Sequence, residues 1–182
     1  MEWDEEYLND TLKNLDNEQI LSIMAIGERS ISRLKLQKII FLSSNILKID
    51  IADNFEAYDY GMYNEAVMEE VLDMSEIIDS SKKLSLTDFG LAIYNRLIEI
   101  LDQKIIVLFQ SLGTLTEDDL LNIAYHLYPE YTVNSKIKDK VIPKTQETTI
   151  SIDNLLSTSL TTKKSKYGIK KVGDSIEITK VE

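Results

Sequence analysis

The stretch Ala57–Val67 reads AYDYGMYNEAV. Three tyrosines, Tyr58, Tyr60 and Tyr63, surround one of only 6 glycines in the chain, and Asn64 then opens a periodic run. A glycine here supplies a backbone conformation that bulkier residues resist. Asparagine is a favoured helix N-cap. The stretch therefore predicts an extended aromatic segment, a turn at Gly61 and a helix through EAVMEEVLDM. On that helix Val67, Met68, Val71, Leu72 and Met74 repeat at helical spacing, and Glu65 and Glu69 sit near the positive end of the dipole.

Upstream, a weak helix is expected from about Asp4 to Lys13. A firmer one begins at LDNEQI, where Asp16 and Gln19 form a capping box and Leu15 and Ile20 a staple, and it stops near Gly27. Ser30 is expected to open SISRLKLQKIIFLSSNIL, whose Leu36, Ile39, Ile40, Leu42, Ile46 and Leu47 make the wide apolar stripe of a central helix. Downstream, EIIDSSKKLSL reads as a small hairpin. Thr87 then caps one long helix over residues 88–110 and on to Gly113, broad enough in its apolar face for a core spine or a dimer seam. Thr116 and Asp119 begin another helix that Pro129 closes, and a short helix is expected about Ser135–Val141.

Beyond Pro143 the composition shifts toward Thr, Ser and Lys, which divides the chain into a helical domain, 1–142, and a polar linker with a C-terminal hairpin, 143–182. A brief apolar patch, ISIDNLL, interrupts that tail. In KYGIKKVGDSIEITK, a Gly173-Asp174 turn pairs Val172 with Ser175, Lys171 with Ile176, Lys170 with Glu177 and Ile169 with Ile178. An isolated two-stranded hairpin is marginal in water. Its apolar face therefore needs the main domain, a second subunit or a partner. A homodimer through the 88–110 helix or through this tail follows as an expectation.

The formal net charge is −11. Residues 1–112 hold 10 Lys/Arg against 21 Asp/Glu, whereas residues 113–182 hold 10 against 10, so the first part carries the whole deficit. From Ile49 to Ser81 there is no basic residue. No apolar run approaches the roughly 18 residues a membrane span requires. The N-terminus MEWDEEYLND lacks the order of a secretion signal, so a cytoplasmic protein is expected. The absence of cysteine excludes disulfides, thiolate nucleophiles and Cys-based metal sites. The single histidine, His126, has no Ser, Cys or His partner at a telling spacing. Asp4-Glu5-Glu6 and Glu117-Asp118-Asp119 read as solvated helix starts, because consecutive residues point in different directions. Neither a phosphate loop nor a dinucleotide fingerprint is present. No catalytic, cofactor-binding or metal-ligating residue is nominated, and no cofactor is expected.

The element order of three helices, a hairpin and a long helix is that of a winged helix. Within it, RLKLQKIIFL (Arg33–Leu42), FEAYDYGMYNEAVMEEVLDM (Phe55–Met74) and LSLTDFG (Leu84–Gly90) fall in the order of a known family. The sequence resembles the SocA-like, or Panacea, domain of antitoxins and of phage- and plasmid-associated proteins over about residues 15–140. The family's usual proline is Met62 here, and its usual serine cap is Asn64. The resemblance implies protein neutralisation or adaptor activity, not catalysis.

Two functions follow. The first is a non-enzymatic module that receives a basic protein partner on an acidic, tyrosine-rich face of Tyr58, Tyr60, Tyr63, Glu65, Glu69 and Asp73, aromatics giving contact area and carboxylates steering the encounter. The alternative is a winged-helix DNA-binding regulator that contacts phosphates through Lys82 and Lys83 at the hairpin tip and Lys163, Lys164 and Lys166 in the tail. The third helix argues against the alternative, since its polar face is a run of carboxylates.

Overall fold

Side chains that accept hydrogen bonds from free backbone N–H groups set where each helix begins. Asp4, Asp16, Ser32, Asn64, Thr87, Asp102 and Thr116 cap helices α1 (Glu5–Asn14), α2 (Asn17–Ile26), α3 (Arg33–Leu47), α4 (Glu65–Asp73), α5 (Asp88–Ile100), α6 (Gln103–Thr114) and α7 (Glu117–Leu127). Capping boxes form at Asp16/Gln19 and Thr116/Asp119. The computed structural model describes residues 3–137 and the backbone of residues 166–172 and 175–181.

Between α3 and α4 lie a 3₁₀ turn (Asp50–Asn54) and an antiparallel hairpin, β1 (Glu56–Tyr58) and β2 (Gly61–Tyr63). Between α4 and α5 lies a second hairpin, β3 (Ile78–Asp79) and β4 (Ser85–Leu86). Ile31, ahead of α3, adds a bridge to Leu84 through a reciprocal pair of backbone hydrogen bonds, each 2.9 Å. The fold is thus mainly helical with small antiparallel sheets, and α2, the Ile31 bridge, α3, α4 and the β3–β4 wing succeed one another in winged-helix order. The C-terminal hairpin, β5 (Lys166–Val172) with β6 (Ser175–Val181), has the expected register, Ile169 opposite Ile178 and Lys170 opposite Glu177. Its Gly173-Asp174 turn, the ISIDNLL patch and the boundary near Pro143 lie outside the described residues.

Helix α3 is the centre of the core. Leu36 through Ser44 are all buried, so this helix faces protein on every side rather than along one stripe. It packs on α2, α6, α7 and β2. Phe41 meets the rings of Phe55, Tyr128 and Tyr131 edge-on, with centroids 5.3, 5.2 and 4.8 Å away. On the far side, Trp3 and Tyr7 bring α1 against Phe89 of α5 at 5.0 and 5.2 Å.

Three expectations are corrected. Ser30 does not open α3; Ser32 does, because the backbone of Ile31 is committed to Leu84. The helix expected over residues 88–110 is two helices. Leu101 turns extended (φ −75°, ψ 152°), and Asp102 restarts the chain as a cap by accepting the Lys104 N–H at 2.7 Å. The break lets α5 pack on α1 and α2 while α6 packs on α2 and α3. Phe89, Ile93, Leu97, Ile106, Leu108 and Phe109 are all buried within the chain, and of the run's large apolar residues Ile100 stands exposed. Residues 135–137 are not helical, with a turn at 136–137, a 3₁₀ segment covers Pro129–Thr132, and residues 138–141 lie outside the described residues.

Cations close the end of α6. Arg29 and the Lys35 ammonium donate to the Gln110 and Gly113 carbonyls at 3.4 and 2.9 Å, a favourable place for positive charge at a helix C-terminus. Lys38 is only 4% exposed, and its ammonium donates to the Glu117 carbonyl at a long 3.4 Å. Burial lowers the pKa of Lys38, against the pull of Glu117 and Asp118, and lowers that of Lys35 with help from Arg29.

Two predictions follow from this packing. A Cβ on Gly90 would lie 2.1 Å from the Ile77 carbonyl oxygen, a backbone atom. Gly90→Ala should therefore cost about 1–3 kcal/mol as an overpacked site; a melting midpoint equal to wild type would contradict the close approach of α5 to the β3 end. For Lys38, a folded pKa below the unfolded value means the unfolded chain binds the proton more readily. That lysine's cost is therefore present at neutral pH and is relieved as pH rises toward the unfolded value of about 10.4. Lys38→Met should stabilise the protein by roughly 1 kcal/mol at pH 7, with the gain shrinking by pH 10 in paired urea titrations. A loss of stability at pH 7 would show that the contacts to Glu117 outweigh desolvation.

Candidate protein-binding face

The tyrosine hairpin owes its shape to Gly61. With Tyr58 paired to Gly61, the chain reverses through Asp59 and Tyr60. Gly61 has φ +114°, which L side chains rarely adopt, and a Cβ there would sit 2.7 Å from Cδ1 of Leu121. The positive φ disfavours a side chain there, and a Cβ would in addition push the Leu121 side chain of α7 aside. The expected extended segment is thus a full hairpin, with the Tyr58 and Tyr63 rings 5.6 Å apart.

The hairpin is held from outside and from beneath. Outside, Asn134 Nδ2 donates to the Ala57 carbonyl and the Lys136 N–H to the Asp59 carbonyl, both at 2.9 Å. The Lys136 ammonium also pairs with the Asp59 carboxylate, which raises the lysine's pKa. Beneath, Gln37 of α3 is 1% exposed. Its Oε1 accepts the Asn64 N–H at 3.0 Å and its Nε2 donates to the Asn64 carbonyl at 2.8 Å. Asn64 in turn caps α4 by accepting the Ala66 N–H at 3.0 Å. One buried amide thereby sets where α4 starts relative to α3.

A groove of about 210 Å³ opens between those helices. Arg33, Leu34 and Gln37 of α3 form one wall; Glu65, Met68, Glu69 and Leu72 of α4 form the other, with Tyr63 beside them. Leu34 and Leu72 are 43% and 47% exposed, while Met68 is buried. Among the described residues no ion pair joins Arg33 to Glu65 or Glu69.

Of the six residues expected on this face, Tyr63, Glu65 and Glu69 line the groove. Tyr58 adjoins it through Tyr63 and is 57% exposed; Tyr60, 50% exposed, stands on the hairpin turn away from the lining. Asp73 is exposed and extends the Glu65–Glu69 stripe by four residues. Further along, Glu70 and Glu76 are engaged as acceptors, from Gln19 at 3.1 Å and from the Tyr7 hydroxyl at 2.9 Å. Lys82 and Lys83 are exposed at the tip of the wing. Lys163 and Lys164 lie outside the described residues, and Lys166 begins β5, where only its backbone is described.

Leu34 and Leu72 were not singled out as surface residues. Helical spacing puts Leu72 with the apolar residues of α4, yet the buried face is Val67, Met68, Val71 and Met74. The signal was present, since Leu72 falls one position beyond Val71 and turns away from the core. Gln37 sat unremarked inside KLQK, because nothing in the local pattern states that a glutamine between buried leucine and isoleucine meets a backbone 27 positions on. Among the described residues no group of three or more His, Asp or Glu converges as a metal site, and no helix is long and apolar enough to cross a membrane. His126 is exposed in the last turn of α7. No family model, curated protein or solved structure matches the chain.

Gln37→Leu removes both bonds to Asn64 at nearly constant volume, leaving a buried N–H and C=O unpaired. It should cost about 2–4 kcal/mol and broaden the amide resonances of residues 63–66. A loss below about 0.5 kcal/mol, the size of an ordinary surface change, would show that α4 is held by packing alone.

Proposed function

We propose that this chain is a non-enzymatic regulatory binding module of the cytoplasm, antitoxin- or adaptor-like, that captures a basic protein partner on its tyrosine-rich acidic face. The observation that carries the reading is the stripe of exposed carboxylates, Glu65, Glu69 and Asp73, running beside an open groove and two exposed tyrosines. Tyrosine gives a large contact area with a polar tip, suited to a surface that is wet when free and buried when bound. Glu65, Glu69 and Asp73 outnumber the one cation of the groove, Arg33, and such a net negative stripe attracts a positive partner and raises its encounter rate. The resemblance to the SocA-like, or Panacea, family points the same way.

The alternative, a winged-helix DNA-binding regulator, draws on Lys82 and Lys83 at the wing tip and on the tail lysines. Helix α4 occupies the recognition-helix position of that fold, and its Glu65, Glu69 and Asp73 would face phosphates. Duplex affinity comes chiefly from phosphate neutralisation by Lys and Arg, so any binding is expected to be weak and to vanish at physiological salt.

The two readings separate in one experiment. Wild-type protein and the Glu65→Lys/Glu69→Lys/Asp73→Lys variant serve as baits in native lysate, with and without nuclease. A specific protein should be retained by wild type after nuclease treatment and lost from the variant. Retention unaffected by the reversal would refute the acidic-face reading, and nanomolar, sequence-dependent duplex binding at physiological salt would replace it with the DNA reading.

A further inference from the structure

We infer that the partner enters the α3–α4 groove as a short amphipathic helix, with one large apolar side chain seated among Leu34, Met68 and Leu72 and Lys or Arg on adjoining turns facing Glu65 and Glu69. This rests on the protein-binding reading above and specifies its ligand.

The dimensions favour a single anchor. The α4 wall uses positions 65, 68, 69 and 72, one helical face about 10 Å long at 1.5 Å per residue, or two turns. A volume of about 210 Å³ lies below the roughly 300 Å³ at which small-molecule sites begin. It suits one inserted side chain better than a cofactor or a row of residues. Leu34 and Leu72 stand exposed on opposite walls, so a seated apolar group would remove both from water.

The charge pattern sets the flanks. Glu65 and Glu69 are four residues apart, about 6 Å along the axis, the spacing of Lys or Arg at i and i+4 on a second helix. Arg33 on the facing wall works against a uniformly polybasic chain and in favour of an amphipathic one. An extended peptide offers a similar spacing at i and i+2, but its affinity comes from pairing with a free strand edge. The neighbouring β1 edge is taken: the outward carbonyls of Ala57 and Asp59 are occupied by Asn134 and Lys136. The groove walls are helices whose backbones bond internally. An occupant that satisfies its own backbone, a helix, fits such walls.

A random-peptide library displayed on phage, selected against the full-length protein, tests this. Enriched sequences should combine a Leu, Phe or Met anchor with Lys or Arg three or four positions away. The dissociation constant of a labelled enriched peptide should rise at least about tenfold when its anchor becomes Ala, when proline is placed beside the anchor, with Leu34→Ser/Leu72→Ser protein, and with Glu65→Lys/Glu69→Lys protein. All four protein positions are exposed, and unchanged melting midpoints check that the variants fold. Polybasic peptides that need Glu65 and Glu69 but ignore Leu34, Leu72 and their own anchor would overturn the helix-in-groove inference and leave the acidic-face reading standing. Proline-tolerant peptides with i, i+2 periodicity, or no enrichment, would overturn it as well. Peptides indifferent to every protein variant would remove both.

Discussion

The amide of Gln37 holds together the two parts of the molecule on which the rest depends. Its side chain takes both the N–H and the carbonyl of Asn64, imitating the pairing of a β-bridge with a side chain from inside a helix. Buried backbone groups cannot be left unpaired without losing a large part of the fold's small net stability. Asn64 lies where the β1–β2 hairpin ends and α4 begins, so one interaction fixes the hairpin's exit, the start of α4 and the separation of the two groove walls. It also explains why Leu36–Ser44 is buried on all sides although it includes Gln37 and Lys38. Each of these polar groups serves a neighbouring backbone, Asn64 for one and the α7 start for the other.

The charge distribution follows a similar division of labour. Arg29, Lys35 and Lys38 turn inward to the α6–α7 junction, where they meet carbonyls and the dipole of a helix end. The carboxylates of α4 turn outward, with no basic residue in their own segment between Ile49 and Ser81. Arg29, Lys35 and Lys38 are engaged by backbone carbonyls and Lys82 and Lys83 stand on the wing, which leaves Arg33 as the basic residue of the groove lining. The α4 face thus presents three exposed carboxylates, Glu65, Glu69 and Asp73, beside the single Arg33. The field of such a face is screened over about 8 Å at physiological salt.

Much of this was legible in the sequence, for reasons that are local. Asp16 with Gln19, Thr116 with Asp119, Asn64 and Thr87 announce helix starts because capping acts within three residues. The β5–β6 register was readable because a two-residue turn leaves one pairing that agrees in both faces. What escaped depends on distant partners. Asp102 breaks the expected long helix because both halves gain more by packing on different neighbours, which a continuous apolar run cannot reveal. Ile31 is removed from α3 by Leu84, more than 50 residues away by the numbering of the bridge. The groove escaped for the same reason: Tyr63, Glu65 and Glu69 were nominated from their own segment, whereas Leu34 and Arg33 join them only through the packing of α3.

Topology and surface chemistry pull in different directions here. A helix-turn-helix usually joins its two helices by a three- or four-residue turn, leaving the N-terminus of the second helix free to approach base edges. In this chain residues 48–64 intervene between α3 and α4, and their hairpin rises beside that N-terminus. Tyr63 and Glu65 line the groove at that end of α4, and the Tyr58 ring lies tilted against Tyr63. The insertion supplies Tyr63 to the groove lining. A fold does not carry function by itself; on this scaffold, Tyr63 of the inserted hairpin and the α4 carboxylates Glu65 and Glu69 line a groove against α3 where a simple helix-turn-helix has a short turn.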